Sequence, residues 1–314
     1  SEKQPGEKGE PSEWAPGEYR IRAGIVVAAG GSIGSSALLL RSGLGRRLPR
    51  LGEGFTCHPA HILVGEHPRE IATAGFPNSN ARQRSRGWGL GTVGHPKSYY
   101  MDRAEEERFI LETCMYFPFT TAKNLTGFGA EHSALMRAFP RLQMILVLAC
   151  DRAVPGNRIA VDRQGRPVVH YRFTGDVVDA LVRATRASAK IFFAAGALRV
   201  HAPSADPPLI GREDMDRVDE LIDARNFKPG KISVSAAHLM GGCGMGRGAA
   251  DSVTDAWGRV HGMPWLRVAD SSLFPDAVEI NPYLTVMALA DRAAEAIRHD
   301  APELITAARE AVQV

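Results

Sequence analysis

The chain has 314 residues, enough for one large or two modest domains. Apolar residues at 44% and charged residues at 23% describe an ordinary globular protein. A formal charge of +3, without a Lys/Arg run interleaved with aromatics, argues against nucleic acid, and no apolar run reaches the roughly 18 residues of a membrane span.

The opening, SEKQPGEKGEPSEWAPGEYR, is polar and rich in Gly, Pro and Glu. It predicts an arm or loop over residues 1–19, with no apolar stretch of the signal-peptide kind. RIRAGIVVAAGG follows, a β-branched run ending in Gly30 and Gly31. It predicts a buried parallel strand and a tight turn. A domain that opens at such a strand implies further structure upstream. GGSIGSSALLLRSGLG then predicts a helix, with Ser32 or Ser35 as its cap and Gly43 at the glycine stop. These glycines lack the Gly-x-Gly-x-x-Gly intervals, and Glu53 lies in a Gly-rich loop, so independent dinucleotide binding is disfavoured. GEGFTCHPA carries the His58–Pro59 pair, which is read as shaping a domain junction.

Residues 61–235 read as a different module. HILVGEH, ERFILETCMYF, RLQMILVLACD, NRIAVD and PVVHYRF are strand-like, the last two joined by the turn RQGR. TGDVVDALVRATRASAKIFFAAG predicts a helix with Thr174 or Asp176 as cap and Gly196 as stop, and REDMDRVDELIDAR a shorter charged helix. Strands joined largely by hairpins with a few helices predict an antiparallel α+β domain.

Residues 236–314 concentrate the chemistry. His238 precedes the glycine-rich MGGCGMG, Asp270 ends the strand-like LRVAD, and Asn281-Pro282 opens an apolar helix. In that helix Leu284, Met287, Ala290, Ala294 and Ile297 fall at helical spacing. Asn is a good N-cap and Pro is favoured at the first helical position, so a well-started helix is the plain reading of that pair. An imidazole titrates near neutrality and suits a general base; the plain alternative for His238 is a hydrogen-bonded core or turn histidine. Asp270 has a similar plain reading as a turn or cap residue. Cys57, Cys114, Cys150 and Cys243 show no CxxC or metal spacing and read as scattered core thiols, compatible with a reducing compartment.

This order of motifs resembles the glucose–methanol–choline (GMC) family of flavin oxidoreductases. SSALLLRSGLG resembles the family's second signature, with Ser36 where proline is usual; GEGFTCHPA resembles its Gly-x-x-aliphatic-x-x-His-Pro segment, with Phe55 at the aliphatic place. The motifs cover residues 20–60 and 236–300, and the middle follows only by domain order. The resemblance implies an α/β FAD-binding domain, incomplete in this chain, over residues 20–60 and 236–314, and an α+β antiparallel-sheet substrate domain over 61–235. It implies FAD as cofactor, His238 as base, Asn281 with Pro282 beside substrate and flavin, and Asp270, Gly30 and Ser35 as cofactor neighbours. No side chain accepts hydride, so oxidation of an alcohol needs such a cofactor. The expected activity is FAD-dependent oxidation of a small-molecule alcohol, neutral or bulky rather than anionic. The alternatives are a non-redox lyase of the hydroxynitrile-lyase kind on the same scaffold and a structural subunit. Since the family's Gly-x-Gly-x-x-Gly is not among these residues, the expected partner is an N-terminal FAD-binding chain or fragment that carries it, in a cytoplasmic hetero-oligomer.

Overall fold

The computed structural model describes residues 17–69, 100–113, 118–204 and 209–310. Most of the polar arm, and Cys114, lie outside the described residues.

A six-stranded sheet holds the centre. Its strands are β2 (Ala60–Glu66), β3 (Tyr100–Arg103), β4 (Phe109–Thr113), β5 (Leu142–Ala149), β8 (Arg199–His201) and β9 (Leu209–Gly211). They lie in the order β3-β4-β5-β2-β8-β9, every pair antiparallel, as the hairpin-rich sequence implies. Alternation sorts its two faces. Leu63, Leu111, Val147, Val200 and Ile210 point to one face and pack with Val177, Leu181, Phe192 and Phe193 of α5 (Gly175–Ala194). Gly65 lies directly beneath the ring of Phe192, where a β-carbon would collide with it. Helix α5 starts where the sequence places it: Thr174 Oγ1 accepts from Val177 N, and Gly196 follows the last turn with φ +88°.

The opposite face is divided between two small clusters. Val64, Leu142 and Met144 meet Leu125, Ala138 and Phe139 beside α3 (Pro118–Asn124) and α4 (Gly129–Arg137). Ala60, Ile110, Leu148 and Cys150 form the other cluster. The charged segment after β9 departs from the single helix its pattern predicts: a 3₁₀ stretch over Arg212–Arg217 runs into one α-turn, α6 (Val218–Leu221). Only Val218 among them is buried, too small an apolar face to hold a longer helix. A further one-turn helix, α2 (Ala104–Glu107), joins β3 to β4.

The second sheet has three strands. β1 (Val26–Ala28) lies parallel to β11 (Met263–Val268), which pairs antiparallel with β10 (Arg259–Val260). β1 is parallel as its sequence predicts, yet Val26 and Val27 are exposed and only Ala28 is buried. α1 (Gly31–Arg41) follows it and carries the hairpin of β6 (Arg158–Val161) and β7 (Pro167–His170) on its flank. Neither Ser32 nor Ser35 caps α1: Gly30 is its N-cap and no side chain bonds there as a cap. The long α7 (Tyr283–Glu310) closes the chain. Among its described residues Ala293 and Ala296 are buried, whereas Leu284 and Met287 of the predicted stripe are exposed. The stripe follows the helical period correctly, but a different face of α7 meets β11.

Two strands of backbone tie the sheets together. The segment 235–240 runs antiparallel to 56–60 through paired bonds Thr56–Met240 and Ala60–Ser235. Counting two residues inward from Thr56 and from Met240 brings His58 opposite His238.

Candidate active site

His58 and His238 meet edge to face, ring centroids 5.3 Å apart, with their Nδ1 atoms at 3.2 Å. His58 is buried and His238 half-buried. His58 adopts φ +47°, a conformation that disfavours β-carbon-bearing residues other than Asn, Asp and His. Asp151, just past β5, holds that turn: its Oδ1 accepts from His58 N at 3.0 Å and its Oδ2 from Cys57 N and Tyr171 Oη, each at 2.9 Å. The far nitrogen of His58, Nε2, lies 2.6 Å from the carbonyl oxygen of Val278.

On the other side of His238 stands Asn281. Its Nδ2 lies 3.4 Å from His238 Nε2 and 3.5 Å from Glu112 Oε2. Glu112 comes from β4, on the sheet face turned away from α5, and is buried. The loop 276–281 is pinned to that face by Cys150, whose Sγ donates to Glu279 O at 3.1 Å. The first α7 bond runs from Val286 N to Pro282 O, one residue past Asn281, and the Asn281 amide nitrogen faces the histidine.

Burial drives His238 down to about 4, with the His58 ring adding to the effect. Burial also lowers His58, against the pull of Asp151 and Val278 O. Both rings are thus neutral at pH 7. The loop after His238 is rigidly seated: Gly241 (φ +80°) lies against the backbone of Gly54, and Gly242 (φ +105°) against Ser36, with no room for a β-carbon.

Gly30, Ser35 and Asp270 also come together, at a second place. Asp270 Oδ2 accepts from Gly31 N at 2.9 Å and from Ser35 Oγ, and its Oδ1 accepts from Ser272 N and Ser272 Oγ. Ser35 Oγ also accepts from Gly30 N at 2.9 Å. Both oxygens of this buried carboxylate are occupied by protein donors, so Asp270 clamps the α1 turn to β11 and has little left for a ligand. His238 and Asn281, both candidates from the sequence, lie together here, joined by His58, for which His-Pro is the sole local signal, and by Glu112, which nothing in FILET marks. Among the described residues no group of three or more His, Cys, Asp or Glu side chains could hold a metal ion, and no helix is long and apolar enough to cross a membrane. Cys57, Cys150 and Cys243 are buried thiols outside any disulfide.

A flavin fits the donor set. The first-turn N–H groups of a helix have no helical partner, so α7 with the Asn281 amide offers donors and a positive dipole end to an electron-rich ring. Exposed Ile280, Leu284 and Met287 supply apolar surface beside them.

Comparison with known proteins gives the same answer. The GMC oxidoreductase family matches residues 156–290. An uncharacterised GMC-type oxidoreductase of Mycobacterium tuberculosis is 29% identical over 274 residues, 86% of this chain and 39% of that protein. A long-chain-alcohol oxidase of Arabidopsis thaliana is 26% identical over 283 residues, 86% of this chain and 36% of that protein. The chain thus spans well under half the length of these curated relatives. Among solved structures, a formate oxidase of Aspergillus oryzae, the subject of work on FAD modification, matches with a TM-score of 0.59 at 15% identity, covering 89% of this chain and 55% of that one. The family match over residues 156–290, the motif order and the fold shared with the formate oxidase are consistent with the C-terminal portion of a GMC oxidoreductase, a family whose cofactor is FAD.

Proposed function

We propose that this chain supplies the catalytic histidine and asparagine of an FAD-dependent alcohol oxidation. The observation that carries the reading is the contact of His238 Nε2 with Asn281 Nδ2 at 3.4 Å, on a histidine that is neutral at pH 7 and half-open. A bound FAD would supply the hydride acceptor that no side chain offers. His238 Nε2 takes the hydroxyl proton as general base. The Asn281 amide donates to the same oxygen and holds it toward the base. Pro282 and the first turn of α7 contribute their dipole to the cofactor side. Asp270, Gly30 and Ser35 act on that side indirectly, by fixing the β1–α1 turn. Glu112 places a carboxylate beside the site, so an anionic substrate is disfavoured and a neutral or bulky alcohol preferred.

The test is anaerobic mixing of the FAD-loaded enzyme with a panel of neutral alcohols. Alcohol-dependent loss of the visible absorbance is expected, and His238→Gln should slow it by about 10²–10⁴-fold with the cofactor retained. Unchanged kinetics in that variant would remove His238 from the role; release of cyanide from a hydroxynitrile without bleaching would favour a lyase instead.

A further inference from the structure

We propose that His58 is a positioning residue: it fixes the tautomer of His238 so that Nε2 carries the lone pair, and it shares the charge when that lone pair takes a proton. The inference rests on the reading of His238 as base. It follows from one fixed point and the rule that each neutral imidazole has one donor and one acceptor nitrogen. The fixed point is Val278 O. A carbonyl oxygen only accepts, and it lies 2.6 Å from His58 Nε2, so the proton of His58 sits on Nε2. His58 Nδ1 is then an acceptor. It faces His238 Nδ1 at 3.2 Å, so His238 carries its proton on Nδ1 and presents an unprotonated Nε2. That nitrogen is the one turned to the amide donor of Asn281. The relay therefore runs from a backbone carbonyl through two rings to the open side of the site.

The position of His58 is defended at some conformational cost. Its φ of +47° is held by Asp151, which accepts from the backbone N–H groups of both Cys57 and His58. A residue serving only as a junction would not need an imidazole there, since the Asp151 bonds use backbone alone. When His238 accepts a proton at Nε2, its Nδ1–H remains bonded to His58 Nδ1, and a bond from a charged donor is the stronger kind. The logic is that of the carboxylate in a serine-hydrolase triad, with a neutral acceptor in the carboxylate's place.

Two variants separate the acceptor from the shape. His58→Asn keeps an amide oxygen at the Nδ1 position and suits a positive φ. His58→Gln places its amide near the Nε2 position, toward Val278, and offers His238 no acceptor. With histidine nitrogens labelled with nitrogen-15, the signals of His238, identified by their loss in His238→Gln, should show a protonated Nδ1 and an unprotonated Nε2. In His58→Gln the two tautomers should mix and alcohol oxidation fall by about 10–10²-fold, the range for removing a group that orients a functional histidine. In His58→Asn both should return most of the way to the parent. A protonated Nε2 on His238 in the unaltered protein overturns the proposal, as does an unchanged tautomer and rate in His58→Gln. Full activity in His238→Gln would instead sink the base reading, while the nitrogen spectrum still reports the relay.

Discussion

His238 is buried enough to hold its proton weakly, and the consequence is a displaced pH dependence. A free imidazole protonates near 6.5, whereas His238 does so only near about 4. A base must be neutral, so the alcohol-oxidation rate is expected to stay level as pH falls through the usual histidine range and to drop with a midpoint near about 4. A stopped-flow profile with a midpoint near about 6.5 would show that the histidine is less desolvated than its surroundings indicate. Gly241 makes a second residue-scale case. Its φ of +80° and its contact with the Gly54 backbone leave a β-carbon nowhere to go. Gly241→Ala is expected to cost roughly 2–4 kcal/mol by denaturant titration, from backbone strain and displacement of the loop that follows His238. A loss below about 1 kcal/mol would show that the loop is more yielding than its packing implies.

At the scale of elements, the two helix starts divide capping from chemistry. Thr174 caps α5 through its side chain, so Thr174→Ala is expected to cost about 1 kcal/mol and leave the site untouched. At α7 the first backbone bond is accepted by Pro282, one residue past Asn281. Asn281→Ala is therefore expected to change unfolding free energy by less than about 0.5 kcal/mol, the range of a partly exposed substitution, while alcohol oxidation falls. Should Asn281→Ser restore both stability and full rate, the capping account would return and the substrate role would go. The Asn-Pro pair looks like a cap in sequence because local preference is all that a short window records. What the amide nitrogen meets is Glu112, 169 residues away, and the opposing His238. Helix α7 shows the same limit. Its 3.6-residue period is readable, but which side meets β11 is not, because Leu284 and Met287 keep the period as faithfully as the buried Ala293 and Ala296 do.

At the scale of the whole molecule, buried histidines tie stability to pH. His61 lies on the α5 side of the sheet, 2.8 Å from Thr185 Oγ1, and burial pushes it down to about 4. Unfolded, it binds a proton below about 6.5; folded, only below about 4. Between those values protons favour the unfolded chain, so stability is highest above pH 6.5 and falls as pH drops toward 4. The loss attributable to His61 is on the order of 3 kcal/mol at most. Denaturant midpoints across that window should fall more gently in His61→Gln than in the parent; parallel curves would assign the slope to other groups.

Composition, motif order and strand patterning by themselves determined the antiparallel sheet and the boundaries of α5, and they singled out His238 and Asn281 as candidates. These are properties of local periodicity and of residue types in a set order, and they survive reading in one dimension. Only the tertiary structure decided that His58 stands opposite His238, that Asp270 is consumed by its own turn, and that Glu112 reaches the Asn281 amide. Those contacts depend on the register between segments 56–60 and 235–240, and on which face of β4 turns to the loop 276–281. Register is set by pairing across more than 170 residues of chain, as the 180-residue separation of the two histidines shows, and a linear pattern carries no trace of it.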